Sequence, residues 1–230
     1  MASFSREQLT TIHSSFWFLS LPAEMQRFLV ESGSLVSLTA RQQLYARQGE
    51  GAGLYCILSG AVRIRTLAAD GREAILAVLE APQWFGEVAL FDNLNRAHDA
   101  IVERDATLLH VPAATVLTFL EEKPAYWRDL GRLMALKLRV LFSMAEVAIL
   151  QPTPQRMARV LIAMAEGYGE RPLQTGQPVR VSQEQLGRMV SLSRQAANQV
   201  LQTFERAGAI QLMRGGFRIV DVQRLRELAI

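Results

Sequence analysis

The chain has 230 residues, half of them hydrophobic and a fifth charged, and no tract dominated by Pro, Ser or Gln; a disordered chain is excluded, and two modest cores are expected. Its net charge is +3, and Cys56 is its one cysteine, which excludes an internal disulfide and any cysteine-built zinc or iron–sulfur centre within one chain. The N-terminus, Met-Ala-Ser-Phe-Ser-Arg-Glu, lacks a basic segment followed by an apolar core, and the apolar stretch Leu130–Leu150 is broken by Arg132, Lys137, Arg139 and Glu146, so a cytoplasmic protein with no membrane insertion is expected.

From Ser5 to about Ser32 the apolar residues recur at helical spacing, with Pro22 where a first turn tolerates it, which predicts two short helices. From about Leu35 to Pro112 the texture changes to short apolar or alternating runs: Leu54–Leu58, Val62–Leu67, Ala74–Leu79, Val88–Phe91, Ile101–Val102 and Thr107–Val111. Turn signals separate them at Gly49–Gly53, Ser59-Gly60, Asp70-Gly71 and Asp92-Asn93. Many short strands at regular spacing predict an antiparallel barrel or roll. After Pro112 the spacing is helical, interrupted near Lys123-Pro124, until Leu150. Trp127, Gly131, Met134, Leu138, Leu141, Ala145 and Ala148 form one seam along a helix of about six turns. The opposite face carries Leu133, Leu136, Val140 and Val147, so one face can pack on the roll while the seam meets a second copy of the chain. Gln151-Pro152-Thr153-Pro154 then breaks the helix, because neither proline supplies a backbone N–H and each restricts its predecessor. The expected layout is a roll over 1–123, a long dimerisation helix over 124–150 and a third unit over 151–230.

That third unit, preceded by a helix at Gln155–Tyr168, holds the clearest signal. Ser182-Gln183-Glu184-Gln185 has the form of a capping box, and Leu186, Met189 and Val190 give the helix it starts one apolar face. Ser191-Leu192-Ser193 is a tight turn, and a second helix over Arg194–Ala207 faces Ala197, Val200, Leu201 and Phe204 inward. Its other face shows Arg194, Gln195, Asn198, Gln199 and Gln202. Two helices on a three-residue turn, the second displaying Arg, Gln and Asn near its start, are what major-groove readout requires: Arg matches guanine, and Gln or Asn matches adenine. Ile210–Met213, Arg214-Gly215-Gly216 and Phe217–Val220 read as a hairpin wing with a Gly-Gly turn, on which Arg214 and Arg218 meet phosphates. Charge agrees, since residues 152–230 carry 11 Arg and no Lys against 6 acids, whereas residues 1–151 carry 14 Lys/Arg against 16. A basic end on a slightly acidic body suits a polyanionic partner, double-stranded DNA. The expected DNA-binding residues are Ser193, Arg194, Gln195, Asn198, Gln199, Arg214 and Arg218.

The whole chain resembles the catabolite activator / fumarate-nitrate regulator (CRP/FNR) family of bacterial transcription factors. Leu54-Tyr55-Cys56-Ile57-Leu58-Ser59-Gly60-Ala61-Val62-Arg63 resembles the family's roll strand and turn, Phe85-Gly86-Glu87-Val88-Ala89-Leu90-Phe91 with Arg96-Ala97 its phosphate-binding cassette, and Leu186–Leu201 its helix-turn-helix. The resemblance implies an α+β architecture: an N-terminal double-stranded β-helix (jelly roll) of cyclic-nucleotide-binding type, a long dimerisation helix and a C-terminal winged helix-turn-helix. It also implies a homodimer on a palindromic site and recruitment of RNA polymerase under a small effector such as cyclic AMP. The effector residues it implies are Gly86, Glu87, Val88, Arg96 and Ala97. A cyclic phosphate needs a guanidinium and N–H donors and a ribose hydroxyl needs a carboxylate, so Arg96 would hold the phosphate and Glu87 the 2′-hydroxyl, with Gly86 letting the backbone close in.

The chain departs from the family at several positions. His98 and Asp99 follow Arg96-Ala97 where small or neutral residues are usual, Pro82 stands where a turn glycine is common, and Leu141 and Phe142 offer no hydroxyl to a base. Gln195 and Gln199 replace an acid and an arginine, so the operator should differ from the family's best-known half-sites. Ser191 replaces the turn glycine and, if its φ is positive, is strained by about 1 kcal/mol. Cys56 reads as a small core residue. A second functional reading is a cyclic-nucleotide-responsive regulator that acts through protein partners instead of DNA. A cupin-type enzyme would need clustered metal ligands, and His13, His98 and His110 show no His-x-His spacing, so neither catalysis nor a metal is expected.

Overall fold

In the computed structural model, residues 4–49, 53–71, 73–92, 94–173 and 175–229 are described, Val147 by its backbone alone. The turn signals at Gly49–Gly53 and Asp92-Asn93 therefore lie partly outside the described residues, at 50–52 and 93, as do the first three residues and the side chain of Val147. The chain divides into two compact units, one of Met1–Thr66 with Val78–Leu136 and one of Leu67–Ala77 with Lys137–Ile230.

The first unit opens with three short helices where two are expected: α1 (Arg6–Ile12), α2 (Phe16–Leu19) and α3 (Ala23–Glu31). Hydroxyl caps explain the extra break. Ser5 closes a capping box with Gln8, and Ser15 accepts from the Phe18 N–H to start α2. Ile12, Trp17, Phe18, Met25 and Leu29 from these helices are buried with Trp84, Leu109, Leu120, Leu130 and Leu133 in one core, and the Trp17 indole N–H donates to the Asp129 carbonyl at 2.8 Å.

The roll is built from β1 (Ser34–Leu38), β2 (Gln43–Tyr45), β3 (Gly53–Leu67), β4 (Glu73–Glu80), β5 (Trp84–Phe85) and β6 (Asp99–Pro112). They form a sheet in the order β1-β6-β3-β4, with β2 on β6 and β5 on β3. The expected strands Leu54–Leu58 and Val62–Leu67 are one strand, β3, and Ile101–Val102 and Thr107–Val111 are likewise both in β6. The two pair antiparallel from Gly53↔Pro112 to Arg65↔Asp99, with register shifts between Ile57 and Val62. Those shifts absorb the Ser59-Gly60 signal: Gly60 has φ +80, and a Cβ there would stand 2.1 Å from the Asp105 carbonyl oxygen, so the glycine bends a strand instead of ending it. Val88–Phe91, expected as a strand, lies in a helix, α4 (Val88–Asp92). A four-residue apolar run does not distinguish the two states; the positive φ of Gly86 ends the strand, and the Leu90 N–H donates to the Glu87 carbonyl.

Next come α5 (Ala113–Glu122), a 3₁₀ turn at Pro124–Tyr126 and the 24-residue α6 (Trp127–Leu150). Leu130 and Leu133 on α6 are fully buried, whereas Leu138, Leu141, Phe142, Ile149 and Leu150 are exposed on the single chain.

In the second unit α7 (Thr153–Ala165) is followed by β7 (Pro178–Arg180), α8 (Gln183–Val190), α9 (Arg194–Arg206), β8 (Ile210–Met213), β9 (Gly216–Ile219) and α10 (Val222–Glu227). β7, which the sequence does not announce, pairs with β9 in a three-stranded sheet ordered β7-β9-β8. Gly216 is therefore a strand residue and not half of a Gly-Gly turn: a Cβ on it would meet the Val179 carbonyl oxygen at 2.0 Å. The core joins Met157 and Leu161 of α7 to Leu186, Leu201, Phe204, Phe217, Ile219 and Leu225.

Candidate nucleic-acid interface and roll pocket

The start of α8 is fixed as the sequence predicts. The Gln185 N–H donates to Ser182 Oγ at 3.1 Å, and the Ser182 N–H donates to Gln185 Oε1 at 2.8 Å. The helix ends on Ser191 in the left-handed region (φ 60, ψ 42), and the Leu192 N–H closes back on the Gly187 carbonyl at 2.8 Å. A Cβ on Gly187 would stand 2.6 Å from the Leu192 carbonyl oxygen, so a residue without a side chain lets the turn fold tightly over α8. Ser193 caps α9 by accepting from the Ala196 N–H at 3.2 Å.

These constraints set what α9 shows. Ala197, Leu201 and Phe204 are buried, while Ser193, Arg194, Gln195 and Gln199 are exposed near the helix start, where the backbone N–H groups add partial positive charge. Asn198 is different: it is half-buried, and its Oδ1 accepts from Gln183 Nε2 on α8 at 2.8 Å. The wing turn places Arg214 beside Gly215, whose φ is +77, and both wing arginines are exposed. Arg218 is pre-oriented, its Nε donating to Gln211 Oε1 across the β8–β9 pair at 2.8 Å. A concavity of about 390 Å³ between the wing and the two helix starts is lined by Ser182, Glu184, Arg194, Met213 and Gly215 among others. Gln183 and Gln211 escape the sequence reading because side chain to side chain bonds across elements leave no periodic trace.

Within the roll, Arg96 is buried. Its Nη1 donates to the Gly86 carbonyl at 3.0 Å and its Nη2 to the Gly53 carbonyl at 2.9 Å, and its guanidinium carbon lies 4.4 Å from the Tyr45 ring centroid. Its Nε is buried without a hydrogen-bond partner among the described residues. Gly86 has φ +101, and a Cβ there would reach within 2.5 Å of the Gly53 carbonyl oxygen, so the backbones close to a distance only glycine permits. Glu87 is buried, whereas Val88 and Ala97 are exposed. The guanidinium lies over the Tyr45 and Tyr55 rings, Tyr45 is tilted against both Tyr55 and Phe85, and Phe85 and His110 stack on Tyr55, His110 at 4.5 Å. Burial pushes the Tyr45 and Tyr55 phenols up, against the pull of the Arg96 charge, so both stay neutral at physiological pH. Asp99 faces elsewhere: it accepts from the Arg47 N–H at 2.7 Å and pairs with Arg65 at 3.5 Å. Cys56 is fully buried, as a core residue should be.

The model of the cyclic nucleotide-binding domain matches residues 35–123, and that of the Crp-like helix-turn-helix domain matches residues 155–228. The chain belongs to the CRP/FNR family of transcription regulators. A CRP-like cAMP-activated global transcriptional regulator of Mycobacterium tuberculosis is 28% identical over 213 residues, 87% of this chain and 94% of that one. The cyclic AMP receptor protein of Thermus thermophilus is 27% identical over 184 residues, 79% of this chain and 82% of that one. The solved structure of FixK2 from Bradyrhizobium japonicum shares the fold, with a TM-score of 0.75 at 19% identity over 86% of this chain and 98% of that one.

The roll of this CRP/FNR member fits an anionic effector. A buried guanidinium whose hydrogen-bond acceptors are two carbonyls, with no carboxylate among them in the described residues, carries charge that a bound phosphate would compensate. The orphaned Nε adds a donor. Among the described residues no group of His, Cys, Asp and Glu is arranged to hold a metal ion, and no described helix is long and apolar enough to cross a membrane.

Proposed function

We propose that the chain regulates transcription as a cytoplasmic homodimer, placing the α9 helix of each copy in successive major grooves of a palindromic operator. Residues 1–123 are the sensor roll, 124–150 the dimerisation helix and 151–230 the reading domain. The observation that carries this is the reading end of α9, where a hydroxyl cap and a left-handed serine turn hold Arg194, Gln195 and Gln199 exposed together. Ser193, Arg194, Gln195, Asn198 and Gln199 face base edges or the adjacent phosphates, and Arg214 and Arg218 hold the backbone. The exposed Leu138, Leu141 and Phe142 of α6 are the apolar face that a second copy covers. With its half-sites about 34 Å apart, the dimer recruits RNA polymerase, and the chain performs no catalysis.

The roll supplies control. Arg96 holds a phosphate, Glu87 a ribose hydroxyl, and Gly86, Val88 and Ala97 the surrounding backbone, and cyclic AMP is the first candidate because relatives are named as activated by it. Selection of duplexes from a random pool, with and without cyclic AMP, tests both halves. The expected result is an inverted repeat enriched in the presence of the nucleotide. Equal enrichment without it would discard cyclic AMP and keep the DNA reading; no enrichment in either arm would discard the DNA reading.

A further inference from the structure

Among the candidate residues on α9, Asn198 is the one whose side-chain amide is already held. An amide carries an acceptor on one branch of a planar carbon and two donor hydrogens on the other, so fixing one branch decides what the other offers. Gln183 is the first residue of α8, inside the capping box that immobilises Ser182 and Gln185 on either side of it. Its Nε2 donates to Asn198 Oδ1 at 2.8 Å, and both side chains are half-buried, which limits the competition from water. The carbonyl of Asn198 is thereby turned toward α8, and its Nδ2 hydrogens remain as the free group. A two-pronged adenine contact needs both branches on one base edge, the carbonyl on N6 and the amine on N7.

We infer that Gln183 is a positioning residue for operator specificity, turning Asn198 into a hydrogen-bond donor that reads a carbonyl acceptor, guanine O6 or thymine O4, in place of the paired donor and acceptor of adenine. The inference rests on α9 as the reading helix. Gln183 itself need touch no base: it acts by choosing which end of the neighbouring amide faces the groove. Replacing it with a carboxylate, which can only accept, turns the amide round and leaves Oδ1 outward, an acceptor suited to cytosine N4 or adenine N6.

The test is duplex selection from a random pool, with and without cyclic AMP, with the full chain and its Gln183→Glu, Gln183→Leu, Asn198→Asp and Asn198→Ala variants, each checked by circular dichroism. The parent is expected to select guanine or thymine at one position of each half-site. Gln183→Glu and Asn198→Asp should shift that position toward cytosine or adenine by roughly fivefold, the worth of about one hydrogen bond. Asn198→Ala should flatten the same position while leaving the rest of the operator intact, and Gln183→Leu, which frees both branches of the Asn198 amide, should move it toward adenine. A Gln183→Glu chain that selects the parent base with merely weaker binding on every sequence overturns the inference, as does an Asn198→Asp chain that keeps the guanine or thymine preference. A parent chain that enriches no operator removes the α9 reading, and this inference with it, and is told apart from those results by the parent arm alone.

Discussion

At the scale of single residues, Ser191 shows how a departure from a family pattern becomes a measurable strain. Its φ of 60 places an L side chain where the backbone crowds Cβ, and glycine relieves this at some cost in unfolded-state entropy. Ser191→Gly should therefore stabilise the second unit by about 0.5–1 kcal/mol, read by thermal unfolding, with DNA specificity unchanged. In the proposed complex, Arg194 and Arg214 separate the two kinds of DNA contact. Arg194→Ala should cost about 1–3 kcal/mol and relax one base position, whereas Arg214→Ala should weaken all sequences alike and lower the salt slope by about 1. His98 adds a pH dependence: burial, and then the Arg47 charge, lower its pKa below the ordinary 6.5, against the opposing pull of Asp99. The folded chain then takes up this proton less readily than the unfolded one, so the contribution to stability is full above pH 6.5 and declines as pH falls through that value. The urea midpoint should drop between about pH 7 and pH 5.5, and His98→Asn should remove that part of the drop.

At the scale of elements, local chemistry was legible and long-range pairing was not. The Ser182–Gln185 box, the 191–193 turn and the inward face of α9 follow from hydroxyl caps and a 3.6-residue period, signals contained within a few residues. β7 escaped because three residues carry no alternation; it is a strand only because β9 accepts it, and that pairing spans about forty residues. The joining of Leu54–Leu58 to Val62–Leu67 escaped for a related reason, since a glycine that bends a strand and one that ends it look alike until the partner strand is known. The resemblance points to Gly86, Glu87 and Arg96, but the carbonyl clamp on Arg96 and its cover by Tyr45 arise from three separate segments. Gly86→Ala tests that clamp. With φ +101 and a Cβ 2.5 Å from a backbone oxygen, it should lower stability by about 2 kcal/mol or more and abolish any effector response, checked by calorimetry with and without cyclic AMP.

At the scale of the whole molecule, α6 is buried near its start and leaves an apolar stripe exposed further along on the single chain. Leu133 on one face is fully buried, while Leu138 and Leu141 on the other are 46% and 58% exposed and Phe142 is 66% exposed. Burying such a stripe against its own copy gains roughly 25 cal/mol per Å² of apolar surface, so Leu141→Glu together with Phe142→Glu should convert the dimer to a monomer in sedimentation equilibrium while leaving each unit folded. A monomer contacts one half-site, and affinity for the full operator should fall to that of the half-site. The central claim, a dimer reading DNA through α9, is tested most directly by titrating the chain and its Arg194→Ala variant against the selected operator and against the same duplex with scrambled half-sites. The account predicts that the parent chain discriminates by three orders of magnitude or more and that the variant loses much of this on the operator while binding scrambled DNA nearly as before; an Arg194→Ala chain that discriminates as well as the parent would contradict it.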